Sequence, residues 1–87
     1  MTDEATITVT VQYFAVLAER IGAREETIDI PRGATVQAAL AAVSDRHPAV
    51  RDMSGSLAIA VNNAYAPPTR MIKPDDVIAV IPPVSGG

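Results

Sequence analysis

At 87 residues with no cysteine, the chain is expected to be one small domain with neither a disulfide scaffold nor a thiolate metal site, and a domain of this size buries only about two-thirds of its unfolded surface. Hydrophobic residues make up 48%, yet there is one Phe, two Tyr and no Trp, so the core must be built from Val, Ile, Leu and Ala. The net charge of −3 without any basic run argues against nucleic acid and anionic membrane as partners.

The chain opens on Met1-Thr2-Asp3-Glu4, an acidic start unlike a signal peptide, and residues 1–5 read as a loose beginning. No apolar run approaches the roughly 20 residues that span a bilayer, and the default location is the cytoplasm. From Thr6 to Gln12 apolar and polar residues alternate, with Ile7, Val9 and Val11 on one face, the period of a half-buried strand. From Phe14 the period changes. Phe14, Leu17, Ala18 and Ile21 fall at i, i+3, i+4 and i+7, one stripe of a short helix, with Gly22 as its C-cap. Phe14 heads that stripe as a core residue; its other reading is partner contact. Glu26 to Ile30 alternates again, with Ile28 and Ile30 inward, before Pro31-Arg32-Gly33 punctuates it. The helix between these strands is too short for a parallel crossover, so they are expected to pair antiparallel.

Thr35 offers an N-cap hydroxyl to the main helix, whose buried stripe is Val36, Ala39, Leu40 and Val43. Pro48 stops it. His47, the only histidine, is read as a surface or capping residue at the helix C-terminus, without partners at metal-ligand spacing. Ala49 to Ser56 reads as a connector. Leu57 to Val61 is a third strand, Asn62-Asn63 a tight turn, Ala64 to Ala66 a short return strand, and Lys73-Pro74-Asp75-Asp76 a second turn before a last strand, Val77 to Ile81. This order predicts an α+β fold: a mixed sheet covered on one face by one main helix plus a short helix, the β-grasp or ubiquitin-like arrangement. Residues 1–81 would form that domain and residues 82–87 an extended tail.

Val77 to Ile81 is apolar at five consecutive positions, so one parity must face away from the helix. An uncovered sheet face should alternate to polar residues. Either loops fold over it or a partner docks there, and the candidate partner-contacting residues are Phe14, Val80 and Ile81.

The chain holds no Gly-rich phosphate loop, no Ser-His-Asp set and no metal-ligand cluster. Glu25-Glu26 and Asp75-Asp76 are adjacent pairs, which point to opposite faces of an extended segment, and they read as solvated turn charges. What remains is the tail. Pro82 and Pro83 stiffen an extended exit. Gly86 and Gly87 lack Cβ atoms and could enter a channel too narrow for other residues, and the group delivered at the tip is the α-carboxylate of Gly87. Taken alone, a Gly-Gly end is equally what a frayed terminus looks like.

The whole string Pro82-Pro83-Val84-Ser85-Gly86-Gly87 closely resembles the tail of the small subunit of molybdopterin synthase, a ubiquitin-like sulfur carrier. Tyr13-Phe14-Ala15-Val16-Leu17-Ala18-Glu19 with Gly22 resembles that family's first strand-to-helix segment. Val61-Asn62 and Lys73-Pro74-Asp75-Asp76-Val77-Ile78-Ala79 fall where the family has a Val-Asn turn and an acidic turn, with Asp75-Asp76 in place of its frequent Gly-Asp. The likeness covers nearly the whole chain beyond Ala5. It implies that an ATP-dependent, E1-like activating enzyme adenylates Gly87 and that a persulfide donor converts it to a thiocarboxylate. Pro82, Pro83, Val84, Ser85 and Gly86 would thread the tail into the large subunit of the synthase, where sulfur passes to a pterin precursor in molybdenum cofactor biosynthesis. Catalytic residues would belong to that subunit; this chain would have no catalytic site, metal or cofactor of its own, the pterin being a substrate. The same features leave open a carrier for another pathway such as thiamin thiazole formation, a ubiquitin-like modifier of lysines, and a plain β-grasp interaction domain.

Overall fold

The structure is a computed structural model that describes residues 5–83. Expectations for Met1–Glu4 and for Val84, Ser85, Gly86 and Gly87 lie outside the described residues. In chain order the elements are β1 (Thr6–Tyr13), α1 (Ala15–Ile21), β2 (Glu25–Pro31), α2 (Val36–Arg46), α3 (Pro48–Asp52), β3 (Ala58–Val61), β4 (Ala64–Tyr65) and β5 (Val77–Ile81), with a 3-10 turn at Ser54–Ser56. They build one five-stranded sheet in the order β2-β1-β5-β3-β4. β1 pairs antiparallel with β2 and parallel with β5, and β3 pairs antiparallel with both β5 and β4. This is the expected mixed-sheet β-grasp.

Strand parity decides what goes inside. The registers align Ile7 with Ile30 and Val9 with Ile28, Val11 with Ile78, Ile78 with Val61 and Val80 with Ile59. These side chains are all buried and share one core with Val36, Ala39 and Val43 of α2. Thr35 caps α2 as expected, its Oγ1 accepting from the Ala38 N–H at 3.3 Å. Gly22 ends α1 at φ 85°, and its N–H donates to the Ala18 carbonyl at 2.9 Å, a left-handed cap that glycine adopts without penalty. The Asn62-Asn63 hairpin turn has both φ positive, 53° and 73°, the twist that matches a two-residue hairpin.

Two segments differ from expectation. Pro48 does stop α2, but it also starts α3 as its first residue, where a fixed φ and a missing N–H cost nothing. Val50 on α3 is fully buried, so the expected connector contributes to the core. Phe14 is not in the α1 stripe: it is the extended N-cap residue, 44% exposed, while Leu17 carries the burial.

Asp76 departs furthest from its reading as a solvated turn charge. It is 6% exposed. Its Oδ1 accepts from Asn62 Nδ2 at 2.9 Å, and its Oδ2 accepts from the Lys73 N–H at 2.8 Å and from Arg70 Nη1 at 3.2 Å. Asn62 Oδ1 in turn accepts from the Val77 N–H at 2.9 Å. One carboxylate thus ties the hairpin turn, the loop before β5 and the first residue of β5 together. Burial pushes its carboxyl upward, but the hydrogen bonds from Lys73, Asn62 and Arg70, with the Arg70 charge, bring it below the ordinary range. A folded value below the unfolded one contributes stability above the ordinary carboxylate range, and that stability is lost as pH falls through the folded value. Asp76→Ala strands buried donors and is expected to cost about 3 kcal/mol at neutral pH, lowering Tm by roughly 10–20 °C. Melting curves for both proteins at pH 7 and in acid check this. The gap must narrow on acidification; a constant gap would mean that the charge is not what matters.

Candidate docking face

The strand parity opposite the core forms the outer face of the sheet, and it divides in two. On β1 and β2 it is polar, carrying Thr8, Thr10, Thr27 and Asp29, with Thr8 Oγ1 donating to Asp29 Oδ1 at 2.6 Å. On β5, β3 and β4 it is apolar. Ala79 aligns with Ala60 and Ile81 with Ala58, and Ala60 aligns with Tyr65. Val77, Ala79, Ile81 and Ala58 are only half-buried, and Tyr65 is 78% exposed. Phe14 follows Tyr13, which pairs with Val80, so by alternation it stands on this outer face at the Ile81 end of the sheet. Ala60 is buried within this half, whereas Tyr65 and Phe14 are exposed and Val77, Ala79, Ile81 and Ala58 keep part of their surface open to solvent.

The candidate residues therefore separate. Ile81 and Phe14 lie on the outer face. Val80 does not: it is 1% exposed and sits in the core between Ile59 and Tyr13, so its side chain cannot meet a partner. Both parities of β5 are apolar, and the sequence alone does not say which one faces in. Its register against Val11 and Ile59 decides. Pro82 is buried and Pro83 exposed, so the chain leaves the sheet at the edge of the apolar half. Val77, Ala79, Ala58 and Tyr65 also belong to the face, although sequence patterning does not single them out. The signal available is parity: once Ile78 and Val80 are inward, their neighbours are outward.

A second arrangement lies on the helix side, at the end of β1. Glu26 is not a solvated charge. It shares parity with Ile28 and Ile30, aligns with Val11, and its side chain is 21% exposed. Its Oε2 accepts a hydrogen bond from the Tyr13 hydroxyl and lies 2.6 Å from His47 Nε2; Arg46 Nη2 is 3.4 Å from Oε1. His47 is the C-cap residue of α2, its N–H on the Val43 carbonyl, so capping holds, but its ring is half-buried, engaged with Glu26 and edge-on to Tyr13 with centroids 5.5 Å apart. Burial, with the Glu26 hydrogen bond and charge, pushes the Tyr13 phenol well above its usual range. Partial burial raises the Glu26 carboxyl, but the hydrogen bonds from Tyr13 and His47 and the positive field of His47 and Arg46 leave it below the ordinary value.

Among the described residues no helix is long and apolar enough to cross a membrane. The chain is similar to a human protein named molybdopterin synthase sulfur carrier subunit, 38% identical over 91% of this chain and 93% of that one. Its fold matches the crystal structure of SAMP1 from Haloferax volcanii with a TM-score of 0.81 at 32% identity, covering 92% of this chain and 99% of that one. It also matches a chain in the complex of subunits 1 and 2 of molybdopterin-converting factor from Helicobacter pylori, with a TM-score of 0.64 at 26% identity, covering 93% of this chain and all of that one. A family model described as the ThiS family matches residues 11–87; the chain belongs to the ThiS family.

Proposed function

We propose that this protein is the sulfur carrier, or small, subunit of a molybdopterin synthase, and that it docks a large subunit through the apolar half of its outer sheet face. The observation that carries the reading is placement. The apolar half, with Phe14, Ile81 and Tyr65, lies where β5 gives way to the Pro82-Pro83 exit, so a partner seated there receives the tail. The human relative's name and the two-subunit complex from Helicobacter pylori support it. Gly87 is the reactive residue in this scheme. Its carboxylate attacks ATP on an activating enzyme and pyrophosphate leaves. A persulfide displaces AMP to give an acyl disulfide, and a second thiol on the donor side attacks the donor's sulfur, so that the sulfur–sulfur bond breaks, a new disulfide forms there and the thiocarboxylate leaves. Ionised at neutral pH, that group is a strong nucleophile for the reason that thiolates are. The cytoplasm, where ATP and persulfide donors are available, is the expected setting.

A second reading, a protein modifier joined to lysines through Gly87, is favoured by the likeness to SAMP1, which other solved structures name as small archaeal modifier protein 1. Intact mass after incubation with an activating enzyme, ATP and a persulfide donor separates the two. Exchange of one oxygen for sulfur is expected. A ladder of conjugates instead would favour the modifier, and an unchanged mass would defeat both.

A further inference from the structure

We propose that Glu26 is a positioning residue for docking: by holding Tyr13 of β1 and His47 at the end of α2 at once, it fixes the β1–α1 corner that presents Phe14 to the partner. This rests on the reading that the outer face docks the large subunit. The corner is under conformational load. Ala15, directly after Phe14, has φ 54°, a left-handed conformation that is costly for a residue with a Cβ. Such a residue persists only where its surroundings over-determine it. The backbone supplies two restraints, Tyr13 N–H to the Arg24 carbonyl at 2.8 Å and Leu17 N–H to the Phe14 carbonyl at 3.1 Å. The third restraint is the Tyr13 side chain, 3% exposed, with its hydroxyl on Glu26 and its ring against His47.

A carboxylate is a costly choice for that restraint. Glu26 occupies the inward parity, where an aliphatic side chain of similar volume would commonly be neutral or stabilising. What it adds is direction. Ionised, it only accepts, so both the Tyr13 hydroxyl and His47 Nε2–H donate to it, and each donor fixes an angle that apolar packing leaves loose. The nearest charges from the packed elements are Arg46 and His47 of α2. Phe14 is one residue from Tyr13 and faces the opposite side of the sheet, so a rotation of Tyr13 about the strand carries Phe14 with it.

Glu26→Gln keeps the shape, but it puts a weaker, uncharged acceptor at the one oxygen, Oε2, that takes both donors and turns its amide NH₂ toward Arg46, which faces Oε1. Tyr13→Phe removes only the hydroxyl and serves as a second, milder variant. The experiment is a double-mutant cycle in the full chain, with affinity for the cognate large subunit measured at a temperature where circular dichroism shows every variant folded. Phe14→Ala is expected to weaken binding about 30-fold, the scale of an interface anchor. Glu26→Gln and Tyr13→Phe are each expected to weaken it about tenfold in the native background and to add nothing when Phe14 is already Ala, because coupled residues are non-additive. In the free protein, amide exchange at Phe14 and Ala15 should rise in both variants, a readout independent of docking. Equal losses in both backgrounds, or no loss, would make Glu26 merely structural and overturn the proposal. If Phe14→Ala leaves affinity unchanged, the docking reading itself fails and the positioning role fails with it. Unchanged exchange at Ala15 defeats the positioning role even when docking holds.

Discussion

Val80→Asp is expected to unfold the domain, whereas Ile81→Asp leaves the melting temperature within a few degrees and removes docking. The two residues are adjacent on β5 and equally apolar, so nothing separates them but strand parity. Val80 is 1% exposed, packed between the Tyr13 and Ile59 strands. A carboxylate there has no partner, and an uncompensated buried charge costs several kcal/mol. The whole margin of an 87-residue domain is on the order of 4–13 kcal/mol, so the folded state is lost or nearly so. Ile81 is half-buried on the outer face beside Ala58, where an aspartate stays hydrated in the free protein. Under a docked partner it would be desolvated, at about 2 kcal/mol or more, a 30-fold or larger loss of affinity. Thermal melts and binding to the large subunit check both arms. If the two variants melt together, the outer face is not free; if both stay folded, the inward assignment of Val80 is wrong.

That split shows where sequence periodicity stops being informative. β1 and β2 alternate polar with apolar, so the inward placement of Ile7, Val9, Val11, Ile28 and Ile30 follows from period alone, and the caps at Thr35 and Gly22 follow from side-chain chemistry within one turn. β5 is apolar on both parities because both are to be buried, one by the helix and the other, in the proposed function, by a partner. A signal that marks burial in general cannot say by whom. The acidic pairs mislead for a related reason. Glu26 and Asp76 each follow an acidic neighbour, Glu25 and Asp75, that is exposed, and the pair reads as solvated when taken together. Their partners His47 and Asn62 lie 21 and 14 residues away, and contacts at that separation depend on the completed sheet. The parity of Glu26 with Ile28 and Ile30 is the one local hint. The tail is the opposite case: the role that the proposed function gives to Pro82-Pro83-Val84-Ser85-Gly86-Gly87 is read from its composition and its terminal carboxylate, and Val84, Ser85, Gly86 and Gly87 lie outside the described residues.

Removing Gly87, or adding one residue after it, is expected to abolish sulfur transfer while leaving the fold and melting temperature unchanged, because β5, the last described element, ends at Ile81, six residues before Gly87. Deletion draws the reacting carbonyl back by one residue, about 3.3–3.6 Å of extended reach. A misplacement of about 1 Å can already cost on the order of a hundredfold in rate, since reacting atoms must approach to attack distance. Extension acts differently: it converts the Gly87 carboxylate into a peptide amide, which has no free oxygen anion to attack ATP, so activation fails before any question of reach. Gly86→Val should also be severe, by blocking a channel that admits only backbone, whereas Ser85→Ala should be mild because no step needs its hydroxyl. Transfer in a reconstituted system, with circular dichroism as the fold control, tests all four variants. Loss of transfer together with loss of fold would mean that the tail stabilises the domain. An extended chain that transfers sulfur at the normal rate without being trimmed would show that the reactive group is not the Gly87 carboxylate, and the sulfur-carrier reading would fail at its chemistry even if the sheet face still docks.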